Sequence, residues 1–286
     1  MVREKSTTIR KPRARNRLGG ELFFVGLILG LLLVAGLIPS LLAPQDPWRT
    51  GGPALAAPGG EYLLGTDQLG RDVWSRLIHG ARTSLLVGGL ATLIALVLGG
   101  LVGLISGTVG GWIDELLMRL AELVDTVPGL LLALLVITLI GAGIWQVALV
   151  IGLTGWTGLA RVLRSRLVSI REEEFVLGAR ALGMSEARVA LRHMLPLAWP
   201  ALLALLPFRL EGAIMLEASL SFLGLGDVSR PSWGGMLQDA QPYLRQAWWL
   251  VAAPGAALAL TLFALSLLSD HLQRLSNPKL RLGRSD

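Results

Sequence analysis

Residues 165–196 read SRLVSIREEEFVLGARALGMSEARVALRHMLP, a polar run between two long apolar stretches of the chain. Ser169 with Glu172 fits a capping box, and Glu172, Glu173 and Glu174 place negative charge where a helix dipole favours it, in a first turn. From there Phe175, Ala179 and Leu182 recur at i, i+4 and i+7 as one apolar stripe, and Gly183 can take the left-handed conformation that ends a helix. Ser185 is placed to cap a second short helix through His193, and Pro196 suits the first turn of the apolar segment that follows. A helix, a glycine break, a second helix and a proline entry have the form of a docking surface. An exposed aromatic flanked by charge fits a knob that enters a groove in a partner; the other reading is an amphipathic helix lying on lipid.

The flanks of this run define the fold class. The 286 residues are 53% hydrophobic and 16% charged, with a mean hydropathy of +0.61, a composition of polytopic membrane proteins rather than soluble domains. Apolar stretches of about 20 residues, each enough to cross ~30 Å of hydrocarbon as a helix, recur at 22–43, 84–107, 116–140, 144–163, 197–216 and 247–269. The expected architecture is all-α with six transmembrane helices, an even number that returns both ends to one side. Lys and Arg accumulate on the cytoplasmic side of membrane proteins. The first tail holds Arg3, Lys5, Arg10, Lys11, Arg13, Arg15 and Arg17. Placing it inside also puts Arg119, the arginines from Arg161 to Arg192, Arg274, Lys279, Arg281 and Arg284 inside. Both termini and the 165–196 loop are therefore expected in the cytoplasm. The division is a basic tail at 1–21, a first span at 22–43, an external loop at 44–83, a five-helix core at 84–270 and a second tail at 271–286.

A net charge of +6 and a pI near 10.6 follow from topology, because the basic residues flank apolar spans, and no nucleic-acid partner is expected. The first apolar stretch is long for a secretory signal, and Pro39 and Pro44 end it where a small-x-small cleavage motif is missing, so a retained helix is expected. The chain has no Cys, hence no disulfide, thiolate or Cys-ligated metal. Its lysines, Lys5, Lys11 and Lys279, do not stand in a GxxxxGK[ST] loop, and His79, His193 and His271 are scattered without metal-ligand spacing. No nucleophile elbow is present. The chain is not expected to be an enzyme, and no cofactor or metal is expected in it.

Between spans, the Pro- and Gly-rich 44–64 segment reads as irregular loop, and 65–82 as a polar external lead-in to the second span, helix-compatible after Asp67; its Asp67, Arg71, Asp72 and Arg76 read as a solvated cap with ion pairs at helical spacing, of little net value, a reading placed ahead of a substrate site. Residues 219–246 read as turns over the external mouth. Gly99, Gly103, Gly107 and Gly111 form a small-residue face, for packing within the chain or against a second membrane subunit. Trp112, Trp145, Trp199, Trp248 and Trp249 fall near span ends as interfacial anchors. Arg209, Glu211 and Glu217 lie in or near the fifth span, where charge is costly. They are candidates for a pore or subunit interface; a structural buried pair is the other reading. Asp125, before Pro128, reads as a helix-entry or loop contact.

The stretch FVLGARALGMSEARVALRHMLP resembles the cytoplasmic signature of membrane subunits of ABC-type importers, a Glu-Ala-Ala triplet, three residues, Gly, and later a Leu-Pro ending. Leu177, Gly178 and Ala179 take the triplet positions, Gly183 the Gly, and Leu195 and Pro196 the ending; the Glu is replaced by Leu177. LGTDQLGRDVWSRLIHGARTSLLVG at 64–88, and EASLSFLGLG at 217–226 followed by PSWGGML, narrow the resemblance to the second permease subunit of dipeptide, oligopeptide and nickel importers. It extends over nearly the whole chain from the first span onward. It implies the transmembrane domain of a type I importer in a bacterial or archaeal plasma membrane. Partners would be a homologous permease, two cytoplasmic ATPases carrying ATP and Mg, and an external binding protein, all around a lipid-embedded core. Phe175, Leu177, Gly178, Ala179, Arg180, Gly183, Leu195 and Pro196 would couple to an ATPase. An ATPase-independent channel or secondary transporter is the alternative, expected to show broken helices and midplane acids in matching halves; a membrane scaffold is a third.

Overall fold

A computed structural model describes the backbone of residues 14–276 and the side chains of residues 23–275. The basic residues Arg3 to Arg13 and Lys279, Arg281 and Arg284 lie outside the described residues, as do the side chains of Arg15 and Arg17. Helices α1 (Ala14–Leu37), α2 (Val73–Val109), α3 (Gly111–Thr126), α4 (Gly129–Ile140), α5 (Ile144–Gly155), α6 (Thr157–Arg171), α7 (Glu174–Ala181), α8 (Glu186–Val189), α9 (Leu195–Leu203), α10 (Leu206–Phe222), α11 (Trp233–Ala240) and α12 (Trp249–Ser276) follow in order. Among the described residues, α2, the run Ile144–Arg171 formed by α5 and α6, and α12 are each long and apolar enough to cross a bilayer, and two bent pairs, each taken as one span, raise the number to as many as five. The apolar run Phe23–Leu37 of α1, where the first span was expected, is shorter.

Proline sets where the expected spans break. The first was expected to reach residue 43, but α1 stops at Leu37 because Ile38, held at φ −132° ahead of Pro39, leaves the helical region. The third was expected as one helix over 116–140. Instead α3 and α4 meet at 82°, since Pro128 has no N–H to continue the ladder and pushes Val127 to φ −94°, ψ 127°. In the fifth, α9 and α10 meet at a 48° bend, with Pro207 at the start of α10. The helix of the second span begins at Val73, inside the lead-in expected to be helix-compatible after Asp67, because the Asp72 carboxylate accepts the Ser75 N–H at 2.8 Å and caps it there. At roughly 1.5 Å per residue, the 37 residues of α2 reach well beyond the hydrocarbon.

α2 is the spine against which α5, α6 and α10 pack. Gly99, Gly103 and Gly107 supply the close approach: side chains there would press on Leu159, Leu163 and Leu167 of α6 at 2.8–2.9 Å. The small-residue face thus serves packing within the chain. Gly111 does not share it; with φ +61° it follows Gly110 at φ +71° in the tight turn from α2 into α3. One buried cluster joins α1, the start of α2, α11 and α12; a second joins α2, α4 and α5; a third joins α6, α7 and α9 at the far end of α2.

Residues 219–246 are more ordered than turns. Ser232 accepts the Gly235 N–H at 3.2 Å to cap α11, and Gly234 lies directly on the Ala218 backbone of α10, so these glycines serve close helix packing. Trp233 is buried and donates to the Leu77 carbonyl at 3.0 Å. Of the expected interfacial tryptophans, Trp112, Trp145, Trp199 and Trp248 are exposed, whereas Trp249 is buried and donates to the Thr66 carbonyl at 3.2 Å.

Candidate functional site

The 165–196 loop begins later than a capping box at Ser169 requires. α6 continues through Ser169 to Arg171, and α7 starts at Glu174 with Glu173 as its N-cap, because the apolar face of α6 runs on through Leu163 and Leu167 into the third cluster. Val176, fully buried, anchors α7 on that cluster, and Ala179 packs beside it. Ala179 therefore turns inward with Val176 and does not share the outer face with Phe175. The outward apolar groups are Phe175, Leu177 and Leu182, with Leu182 87% exposed. Gly178 has open space where a side chain would stand.

Gly183 ends this segment with φ +81°, a conformation that costs an L-residue about 1–2 kcal/mol. Met184 N–H then donates to the Ala179 carbonyl at 3.2 Å. Arg180 pairs with Glu186 at 2.8 Å and so ties α7 to α8. Ser185 stands at the N-cap of α8 but its side chain accepts no capping bond, and α8 passes into a π-helical stretch, Ala190–Met194. Leu195 and Pro196 open α9 as expected, with Leu195 packed on the third cluster and Pro196 in the first turn. A short, firmly anchored helix thus presents apolar groups outward.

At the opposite end of α2, the supposed solvated cap is buried. Asp67 accepts from Arg71 at 2.6 Å and from Arg76 at 2.5 Å, and Arg76 also reaches Asp239 of α11 at 2.9 Å. Asp67, Arg71 and Arg76 are each at most 6% exposed. Arg71 also lies 5.7 Å from the centre of the Trp48 ring. Asp72 makes no i,i+4 pair with Arg76, because its carboxylate is committed to Ser75. The cluster locks the segment before α2 onto α11, a partner far away in sequence.

The three charged residues of the fifth span separate. Glu217 is buried and accepts from Ser84 at 2.8 Å and Ser221 at 2.7 Å, a joint between α2 and α10. Arg209 and Glu211 instead line a cavity of about 450 Å³. Asp125 lies in the last turn of α3 and, in place of a helix-entry or loop contact, ties α3 to α6, accepting from Thr157 at 2.7 Å and pairing with Arg161 at 2.6 Å. The Asp114 carboxylate, which accepts from Ser106 and from Arg164 at 2.5 and 2.6 Å, joins α3 to α2 and α6. Sequence reasoning missed it; its signal was an acid in the first turn of an amphipathic helix. No cluster of His, Cys, Asp and Glu among the described residues has the form of a metal site.

The chain matches the family of binding-protein-dependent transport system inner membrane components over residues 99–282. It is 35% identical to the dipeptide transport system permease protein DppC of Bacillus subtilis, over 98% of this chain and 89% of that protein. It is 34% identical to the di/tripeptide permease DppC of Pseudomonas aeruginosa, over 93% and 89%, and 32% identical to the oligopeptide permease OppC of Bacillus subtilis, over 98% and 93%. The fold matches a chain of the inward-facing MetNI methionine ABC transporter with a TM-score of 0.59, over 71% of this chain and 96% of that one, at 15% identity. With its polytopic helical core and these relatives, this chain is a permease subunit belonging to the binding-protein-dependent transport system inner membrane component family.

Proposed function

We propose that this chain forms half of the translocation pore of an ATP-driven importer for short peptides, paired with a homologous permease. Two cytoplasmic ATPases, holding ATP and Mg, bind below, and an external binding protein delivers solute above. The chain sits in a bacterial or archaeal plasma membrane with both termini in the cytoplasm, as the distribution of Lys and Arg supports. The peptide class is supported by the DppC and OppC relatives.

The observation that carries the reading is the outward apolar face of α7 on an anchored base. Phe175 is 45% exposed beside fully buried Val176, the arrangement needed for a knob that must be gripped and must not give way. Closure of the ATPases on ATP pushes α7 as a rigid body. The third cluster passes that motion to α6 and α9, and so to the helices that line the pore. Arg180 holds α7 to α8, and Gly183 permits the reversal between them.

The test is uptake of labelled dialanine in cells lacking this chain. Uptake is expected to fall with its loss and to return on re-expression. Uptake that never depends on the chain overturns the peptide reading.

A further inference from the structure

Beside Gly129 at the start of α4, residues of α2, α5, α10 and α12 line an open cavity of about 450 Å³, within the roughly 300–1,000 Å³ of small-molecule sites. Its wall is mainly apolar, with Ala91, Ile151 and Leu262, yet Arg209 and Glu211 both line it. Neither charge pairs with the other, and neither has a hydrogen-bonding or ion-pair partner among the described residues. One Glu211 carboxylate oxygen is buried without a donor. Arg209 feels Asp125 through space, but Asp125 is already held by Arg161 at 2.6 Å and Thr157 at 2.7 Å. Asp270 adds a second negative charge acting on Glu211.

Opposite charges left unpaired on one wall are costly to keep in a membrane protein unless something that enters the cavity satisfies them. A neutral solute satisfies neither, an anion leaves Glu211 bare and a cation leaves Arg209 bare. Residues two apart on a helix diverge, so the two charges can engage separate ends of one molecule. We infer that this cavity is a transit site for a zwitterionic solute, with a carboxylate held by Arg209 and an ammonium by Glu211. The inference rests on the permease reading and names the chemistry of what passes. Thr154, also in the wall, is spent on the Val150 carbonyl at 3.1 Å, which leaves the two charges as the recognition groups.

The test uses the complete importer in proteoliposomes, with its partner permease, ATPases and binding protein, and reads dialanine imported per ATP hydrolysed. Arg209→Gln and Glu211→Gln are each expected to lower that ratio at least tenfold, and Arg209→Lys, which keeps the charge, to recover most of it. Collapse of the assembly lowers uptake and hydrolysis together and leaves the ratio unmoved. With ATP hydrolysis retained at the unmodified rate, a ratio within twofold of the unmodified importer in both Gln variants, or no recovery with Lys, overturns the transit site while the permease reading stands. An unmodified importer that moves no dialanine overturns the peptide reading and the transit site with it.

Discussion

A methyl group at Gly103 would stand 2.7 Å from the carbonyl oxygen of Ala160, so α2 and α6 meet backbone against backbone. Overpacking a close joint costs about 1–3 kcal/mol, and here the obstacle is main chain, which cannot rotate away. Gly103→Val is expected to lower the thermal unfolding midpoint of the purified chain in detergent. Gly100→Ala, next to it in sequence but with open space around it, is expected to leave the midpoint unchanged or raise it slightly. Equal effects from the two substitutions would contradict the packing described.

The buried cluster before α2 makes a second prediction. Asp67 serves Arg71 and Arg76 together, and removing one member of a buried ion pair leaves uncompensated charge, worth about 3–5 kcal/mol. Asp239 still reaches both arginines, so Asp67→Asn is expected to cost about 3 kcal/mol, the low end of that range. Limited proteolysis should then cut faster between Pro44 and Asp72. Arg119→Ala, which breaks only exposed pairs with Glu115 and Glu122, should change nothing measurable.

Glu217 separates the need for an acceptor from the need for a charge. Ser84 and Ser221 donate to different oxygens of Glu217; Gln keeps one as an acceptor and offers an amide N–H that the other hydroxyl can accept, so Glu217→Gln is expected to assemble normally. Glu217→Leu strands two buried hydroxyls at about 1–3 kcal/mol each and should reduce the amount of folded chain recovered from membranes. Equal recovery of the two variants would show that the hydroxyl contacts carry no stability.

Much of the molecule is legible in the sequence, for physical reasons that vary by region. Hydropathy marks each apolar stretch, and Gly183 and Pro196 mark the ends of local elements because their backbone chemistry acts on neighbours only. Pro128 was visible, but an 82° bend there depends on α3 lying against α2 and α6 through Asp114, a contact between distant residues. The Asp67 cluster read as surface because Asp239, which completes it, lies on α11. Similarly, Arg209, Glu211 and Glu217 look alike in sequence, and only the packing of α2 against α10 ties Glu217 to Ser84 while leaving the other two in a cavity. The outward faces of α7 were half legible: Phe175 and Leu182 were expected there, and Ala179 turned inward with Val176.

The coupling role of α7 predicts that Phe175→Asp and Gly183→Asp reach the membrane at normal levels yet import dialanine below about a tenth of the unmodified rate. Phe175 is half exposed, so its replacement removes little packing, and Gly183→Asp strains one turn by about 1–2 kcal/mol. Quantitative immunoblots of membranes alongside uptake check both halves of the expectation. Full uptake in either variant would sink the assignment.

Site-directed crosslinking tests the central claim most directly, and the chain contains no cysteine to interfere. A single Phe175→Cys variant carrying a photoactivatable crosslinker is illuminated in native membranes and its adducts are identified by mass spectrometry. A second variant carries the cysteine at Val228, 91% exposed between α10 and α11. The account predicts a P-loop ATPase adduct from position 175 and none from position 228. No ATPase adduct at position 175, with the crosslinker captured only by lipid or by a second copy of this chain, would contradict it.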